Sequence, residues 1–318
     1  MSYARCSGSR WRRRPRAGGA GAVVLTAALV LSACNAPTTV SGTKIRAVGA
    51  ENQYANVIEQ IGGRFVSVGA VMSNPNTDPH TFEASTSVAQ EIASARLVVQ
   101  NGVGYDTFMN QLESSTPTSS RRVIDVQKLL GLSLKAKNPH LWYEPKTMPA
   151  VATLVAHDLS LLAPKHAAYF ATRLKTFLAS LQPVALAITT FKTRFAGVKV
   201  ATTEPVADYL LSALGLDNVT PFRFQADIMN GVDPSPEDIA FQQNLFINHR
   251  AKVFIYNAQV SSTVTVAMRS LAESSHVPAV AVYETMPTPG FDYQTWMLAE
   301  IAALTKALTR HVSTKELS

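Results

Sequence analysis

The chain has 318 residues, with 29 Lys and Arg against 22 Asp and Glu, a formal net charge of +7. A hydrophobic fraction of 47% with only 16% charged residues excludes a wholly disordered chain. Two cysteines exclude both a disulfide-dense scaffold and a zinc module built on four thiolates.

A basic chain would ordinarily suggest a nucleic-acid partner, but the excess charge is confined to the start. Arg5, Arg10, Arg12, Arg13, Arg14 and Arg16 precede residue 17, and the first acid is Glu51. An apolar stretch, Gly18–Ser32, follows; it falls short of the roughly 20 residues of a permanent membrane helix. Basic residues followed by a short apolar run read as a secretion signal over residues 1–33. The run closes on Leu31-Ser32-Ala33-Cys34, which is similar to the bacterial lipobox, where the cysteine carries a lipid after cleavage just before it. Cys34 is therefore the expected lipid attachment, and Cys6 leaves with the signal. Without the six arginines the net charge drops to +1, and the nucleic-acid reading has no support left.

Residues 34–42 read as the lipidated cysteine and a short polar tether. Strands are predicted at Lys44–Val48, Phe65–Val71, Arg96–Gln100 and Arg122–Val126, with helices at Tyr54–Ile61, Thr86–Ser94 and Thr107–Glu113 between them. This alternation predicts a parallel sheet with crossover helices. From Pro149 to Phe195 the texture is helical: one helix over Pro149–Leu162, then a long one from about Lys165 that Pro183 kinks. Beyond Gly197 strands are predicted at Lys199–Thr203, Val253–Tyr256 and Ala279–Tyr283. The helices there fall at Ala207–Leu214, Pro236–Asn248, Thr263–Ser274 and Tyr293–Arg310. The expected architecture is α/β: two similar lobes, each a mainly parallel sheet flanked by helices, joined by one long connecting helix. The boundaries are 43–163 for the first lobe, 164–196 for the connecting helix and 197–318 for the second lobe.

Four potential metal ligands sit at strand ends or in the loops that follow. His80 lies in Asp78-Pro79-His80-Thr81-Phe82-Glu83, and His140 in Asn138-Pro139-His140-Leu141-Trp142-Tyr143. Glu204 closes Val200-Ala201-Thr202-Thr203-Glu204, and Glu284 closes Val280-Ala281-Val282-Tyr283-Glu284. Open α/β sheets bind ligands beyond the carboxyl ends of their strands. Each lobe supplies two of the four, so a site between the lobes would receive two imidazoles from one side and two carboxylates from the other. A proline ahead of each histidine rigidifies the turn that aims it.

These segments resemble the solute-binding lipoproteins of zinc/manganese ABC transporters, over about residues 43–310. The motifs that carry the resemblance are D-P-H-x-F-E at 78–83, N-P-H-L-W-Y at 138–143 and the lipobox. It implies that His80, His140, Glu204 and Glu284 are the metal ligands. It also implies an extracytoplasmic, lipid-anchored capture protein, monomeric and not an enzyme, that delivers one divalent ion to an ABC permease driven by an ATPase. The sequence departs from the family at Asn138, often Asp there, and at Glu284, one methylene longer than the usual Asp. Glu113–Lys137 also lacks the histidine-rich loop of many zinc members. Two imidazoles and two carboxylates form an oxygen-rich set, which puts Mn2+ slightly ahead of Zn2+, with Fe2+ also accommodated.

Two other functions compete. A secreted metallohydrolase would keep an open coordination position beside a base, but no H-E-x-x-H helix is present. A surface adhesin would use the metal only structurally. The remaining histidines (His157, His166, His249, His276 and His311) read as solvated or core-edge side chains. Trp142 reads as a brace for His140, and Glu83, Glu144 and Asp208 are candidate acceptors for a ligand imidazole. Asn101-Gly102-Val103-Gly104 lacks dinucleotide-loop spacing and reads as a turn.

Overall fold

Strand-forming runs of β-branched and small apolar residues dictate two sheets. The computed structural model describes residues 44–74, 82–287 and 290–317. Cys34, His80, the signal and the tether lie outside the described residues. The first sheet contains β1 (Ile45–Glu51), β2 (Val66–Met72), β3 (Leu97–Gln100) and β4 (Arg122–Asp125), all parallel, in the order β2-β1-β3-β4. Around it lie α1 (Asn52–Gly62), α2 (Thr86–Ser94), α3 (Thr107–Ser115), the single turn α4 (Val126–Leu129) and α5 (Thr147–Leu162). The connecting segment is α6 (Ala167–Ser180) followed by α7 (Gln182–Phe195).

The second sheet repeats the plan. Its strands are β5 (Lys199–Thr202), β6 (Asp217–Asn218), β7 (Phe254–Asn257) and β8 (Ala279–Val282), parallel and ordered β6-β5-β7-β8. Its helices are α8 (Asp208–Ala213), α9 (Phe222–Met229), α10 (Pro236–Ile247), α11 (Thr263–Ser274) and α12 (Tyr293–Arg310). Every residue of β3, β7 and β8 is buried, as parallel strands covered on both faces must be. The two-lobed α/β architecture is thus the one expected, and Thr43–Ser318 form one compact unit.

Local chemistry accounts for the boundaries. Pro183 stands in the first turn of α7, where its missing N–H costs nothing, so the expected kink falls at the α6–α7 junction. Asp292 caps α12 through a capping box with Thr295. Three short elements were not predicted: α4, α9 and the two-residue β6. α4 and β6 are too short to display a hydrophobic period, whereas α9 does bury Phe224 and Ile228 on one face.

One large core runs through both lobes, and a smaller cluster, Val48, Ala50, Val71, Ile92, Ala95, Val98 and Met109, lies on one face of the first sheet. The lobes are stitched by polar groups on α1. Asn52 exchanges two hydrogen bonds with the Met286 backbone, at 2.8 and 3.0 Å. The Tyr293 N–H donates to Asn56 at 3.0 Å, and Gln60 pairs with Gln294 at 2.9 Å.

Glu300 on α12 is fully buried. Burial pushes its carboxyl up from 4.5 to about 8, although donors favour the charged form. Those donors are the Tyr143 hydroxyl at 3.0 Å and Trp296 Nε1 at 3.1 Å. Between these two pH values the folded chain holds a proton that the unfolded chain has lost. Stability therefore falls as pH rises through that window, by up to about 1.4 kcal/mol per pH unit. Glu300→Gln keeps an acceptor and removes the titration. Its melting temperature relative to the parent chain, measured with chelator present, should rise steadily from pH 5 to pH 8; a constant difference would refute the assignment.

Candidate metal centre

The order β2-β1-β3-β4 reverses direction between β1 and β3, and β6-β5-β7-β8 reverses between β5 and β7. Such switch points open a crevice beyond the strand ends. Glu204 follows β5, Asn257 ends β7, and Glu284 lies just past β8. His140 opens a short 3-10 turn, Leu141–Tyr143, in the first lobe. His140 and Glu284 are 0% exposed and Glu204 is 3% exposed.

The histidine is aimed by Asn138. Its Nδ2 donates to the Pro205 carbonyl across the lobes at 2.7 Å, which fixes the amide orientation. Oδ1 then faces His140 and accepts from its backbone N–H at 3.0 Å and from ring Nδ1 at 2.8 Å. With Nδ1 as the donor, the other ring nitrogen, Nε2, is turned toward Glu284 and lies 3.2 Å from its Oε2. Trp142, fully buried, stands edge-on to the imidazole with ring centroids 5.4 Å apart. It braces His140, as its place in the motif suggested.

Glu284 is held from both lobes. The Tyr105 hydroxyl donates to Oε2 at 2.9 Å, and Asn257 Nδ2 donates to Oε1 at 2.5 Å. The same Asn257 nitrogen reaches Glu204 Oε2 at 3.4 Å, so one amide spans the two carboxylates. Gln259 Oε1 accepts from the backbone N–H groups of Glu284 and Thr285 at 2.7 and 2.8 Å, and Gln53 Nε2 donates to the Glu284 carbonyl at 3.1 Å.

His140 and Glu284 are therefore in contact, and Glu204 joins them through Asn257. Among the described residues no group of three or more His, Cys, Asp or Glu side chains gathers as a metal-holding cluster. The fourth candidate, His80, lies outside them. Chemically, a buried imidazole nitrogen facing a carboxylate oxygen is matched either by a proton shared between them or by a cation bound to both. Two donor atoms bound to one ion at about 2.1 Å, and 90–109° apart, lie about 3.0–3.4 Å from each other. The observed 3.2 Å fits one edge of such a coordination shell.

The candidate acceptors for the imidazole resolve differently from expectation. Asp208 is bound by Asn218 at 2.8 Å and Gln225 at 3.0 Å, and burial raises its carboxyl above the ordinary value. Asn138 fills the acceptor role instead, while Glu83 is exposed. His166, expected at a core edge, stacks on Phe65 at 3.8 Å.

Sequence reasoning missed Tyr105, Asn257, Gln259 and Gln53, whose amide and phenol groups carry no motif of their own. It also missed two buried acids of the first lobe. Glu51 ends β1 at 1% exposure, and burial, reinforced by Asp106, raises its carboxyl well above the ordinary range. Asp106 is raised by burial to about 6 although it accepts backbone N–H bonds from Asn101 and Gly102. Position alone could have signalled Glu51 and Asn257, since both end strands at switch points.

Residues 48–307 match the family profile described as ZnuA, zinc-uptake complex component A periplasmic. The manganese-binding lipoprotein MntA of Bacillus subtilis is 27% identical over 170 residues, 51% of this chain and 55% of that protein. The chain thus spans about half the length of the curated relatives it matches. The solved periplasmic zinc-binding protein TroA of Treponema pallidum superposes with a TM-score of 0.70 at 18% identity, covering 84% of this chain and 99% of that one. FpvC of Pseudomonas aeruginosa, solved in complex with Mn2+, gives 0.70 at 19% identity over the same shares. At such identities the structural likeness concerns the fold.

The Asn138 geometry makes a prediction that needs no metal. Nitrogen-15 NMR of the imidazole should show the Nδ1–H tautomer of His140 in the parent chain and in Asn138→Asp. Asn138→Ala should lose that preference and about 1–3 kcal/mol of stability, because it strands buried polar groups. An unchanged tautomer in Asn138→Ala would refute the aiming role.

Proposed function

Because the chain belongs to the zinc-uptake complex component A periplasmic family, we propose that it captures a divalent transition-metal ion between its lobes. It then hands the ion to an ABC permease for import powered by a partner ATPase. The ion is the protein's cargo, and the chain is a solute-binding component, not an enzyme. His140, Glu204, Glu284 and His80 are the proposed ligands. The observation that carries the reading is the buried contact of His140 Nε2 with Glu284 Oε2 at 3.2 Å, with Nδ1 held by Asn138 so that Nε2 faces the carboxylate. The manganese-binding name of the Bacillus subtilis relative points the same way.

Residues 1–33 serve as the export signal in this reading, and Cys34 anchors the monomeric protein by lipid to the outer face of the cell membrane. The first lobe runs over 43–163, the connecting helix over 164–196 and the second lobe over 197–318. Two glutamates that each bind through two oxygens, with two imidazoles, would complete a six-donor shell that suits Mn2+. Zn2+ follows closely because imidazole suits it and its intrinsic affinity exceeds that of Mn2+, and Fe2+ is also compatible.

Metal analysis of the lipid-free chain that begins after Cys34 tests the reading. After loading and gel filtration the parent chain should hold about one ion, while His140→Ala and His80→Ala should lose it, since a catalytic or structural shell fails when one of its few ligands is removed. Unchanged metal content in either variant would overturn the ligand set.

A further inference from the structure

His140 and Glu284 have no exposed surface, so an ion can reach them only through the protein. A cavity of about 410 Å³ is lined by residues of both lobes and reaches Tyr105, whose hydroxyl touches Glu284. Its described lining includes Val103, Tyr105 and Pro139 from the first lobe and Phe222, Ala226 and Met229 from α9 of the second. Pro139 immediately precedes His140. At the rim the Lys137 ammonium lies over the Phe222 ring, 5.3 Å from its centre.

Tyr105 belongs to both the cavity and the site. It lines the cavity, and its hydroxyl donates to Glu284 Oε2 at 2.9 Å. Its ring stands edge-on to His140 and Trp142, with centroids 5.9 and 5.1 Å away.

The loop that carries Tyr105 is strained. Gly102, Val103 and Gly104 all have positive φ, at 82°, 54° and 77°. That region is unfavourable for the β-branched Val103. Polar bonds hold the loop there: the Asp106 carboxylate accepts from the backbone N–H groups of Asn101 and Gly102, at 2.6 and 2.9 Å, and Gln127 Oε1 accepts from that of Val103 at 2.8 Å. A strained segment pinned by a few polar bonds is suited to move as a unit, and the connecting helix leaves less scope for the lobes themselves to part.

We infer that the interlobe cavity is the passage by which the ion reaches and leaves the buried site, with Tyr105 as its inner gate: the ring closes the passage and the hydroxyl positions Glu284. This rests on the metal reading above. The two roles separate kinetically. An obstruction alters uptake and release by the same factor and leaves Kd unchanged. A lost contact to a ligand speeds release alone.

Stopped-flow measurements on the mature chain read both rates. In a Trp296→Phe background, which isolates Trp142 in the mature chain, intrinsic fluorescence follows Mn2+ or Zn2+ uptake, and a chromogenic chelator follows release. Ala226→Phe, which fills the cavity from α9, should slow uptake and release together with Kd preserved. Met229→Phe, on the same face one turn along, gives the same readout if the first variant disturbs packing. Tyr105→Phe keeps the ring and should raise release about tenfold with uptake unchanged, the effect of one hydrogen bond to a charged group. Tyr105→Ala should speed both. Unaltered rates in both cavity variants would overturn the passage, and a Tyr105→Ala chain with parental uptake would overturn the gate. Metal content is measured first: a His140→Ala chain that still holds its ion sinks the metal reading itself, whereas retained metal in the Tyr105 and cavity variants with unchanged rates sinks only the passage.

Discussion

A carboxylate with no exposed surface must find positive charge or donors inside the protein, and Glu284 draws them from both lobes. The Tyr105 hydroxyl donates to the carboxylate from the first lobe and Asn257 Nδ2 from the second, while Gln53 donates to the Glu284 backbone carbonyl and Gln259 Oε1 accepts from its backbone N–H. Much of the rest of the structure follows from this requirement. On α1, Asn52 grips the β8–α12 loop at Met286, and the half-buried Asn56 and Gln60 hold the start of α12 at Tyr293 and Gln294. The same need for compensation explains why a single Asn257 nitrogen spans two carboxylates.

The two sheets share one strand order, yet they contribute different chemistry. The first lobe brings an imidazole on a proline-stiffened turn, and the second brings carboxylates at strand ends. The first lobe's own strand-end acid, Glu51, is sealed by burial and shifted toward its neutral form. It therefore adds less negative charge near the crevice than an ionised carboxylate would. The asymmetry keeps the candidate carboxylates, Glu204 and Glu284, on one side and the aromatic braces, Tyr105 and Trp142, on the other.

Much of this was legible in the amino-acid sequence because it depends on strong local signals. Parallel strands announce themselves as short apolar runs, and seven of the eight fall within a residue or a few of their predicted bounds. The P-H turn marked His140, and the strand-ending position marked Glu204 and Glu284. What stayed hidden depends on long-range pairing. Gln259 resembles an ordinary loop amide, and the strand-ending Asn257 gains its role only when the sheet order places β7 beside β5. Tyr105 acquires meaning only when a residue 179 positions away in sequence comes within 2.9 Å of its hydroxyl. The acceptor for His140 was sought among carboxylates, whereas the structure uses Asn138, whose amide can satisfy the imidazole and the opposite lobe at once.

The central claim is that one ion sits where the imidazole of the first lobe meets the carboxylates of the second. Anomalous diffraction at the absorption edge of bound Mn2+ or Zn2+ locates the ion directly. The account predicts a single strong peak about 2.0–2.2 Å from both His140 Nε2 and a Glu284 oxygen, with Glu204 also in the shell. A peak elsewhere in the chain, with His140 and Glu284 still in direct contact, would contradict it.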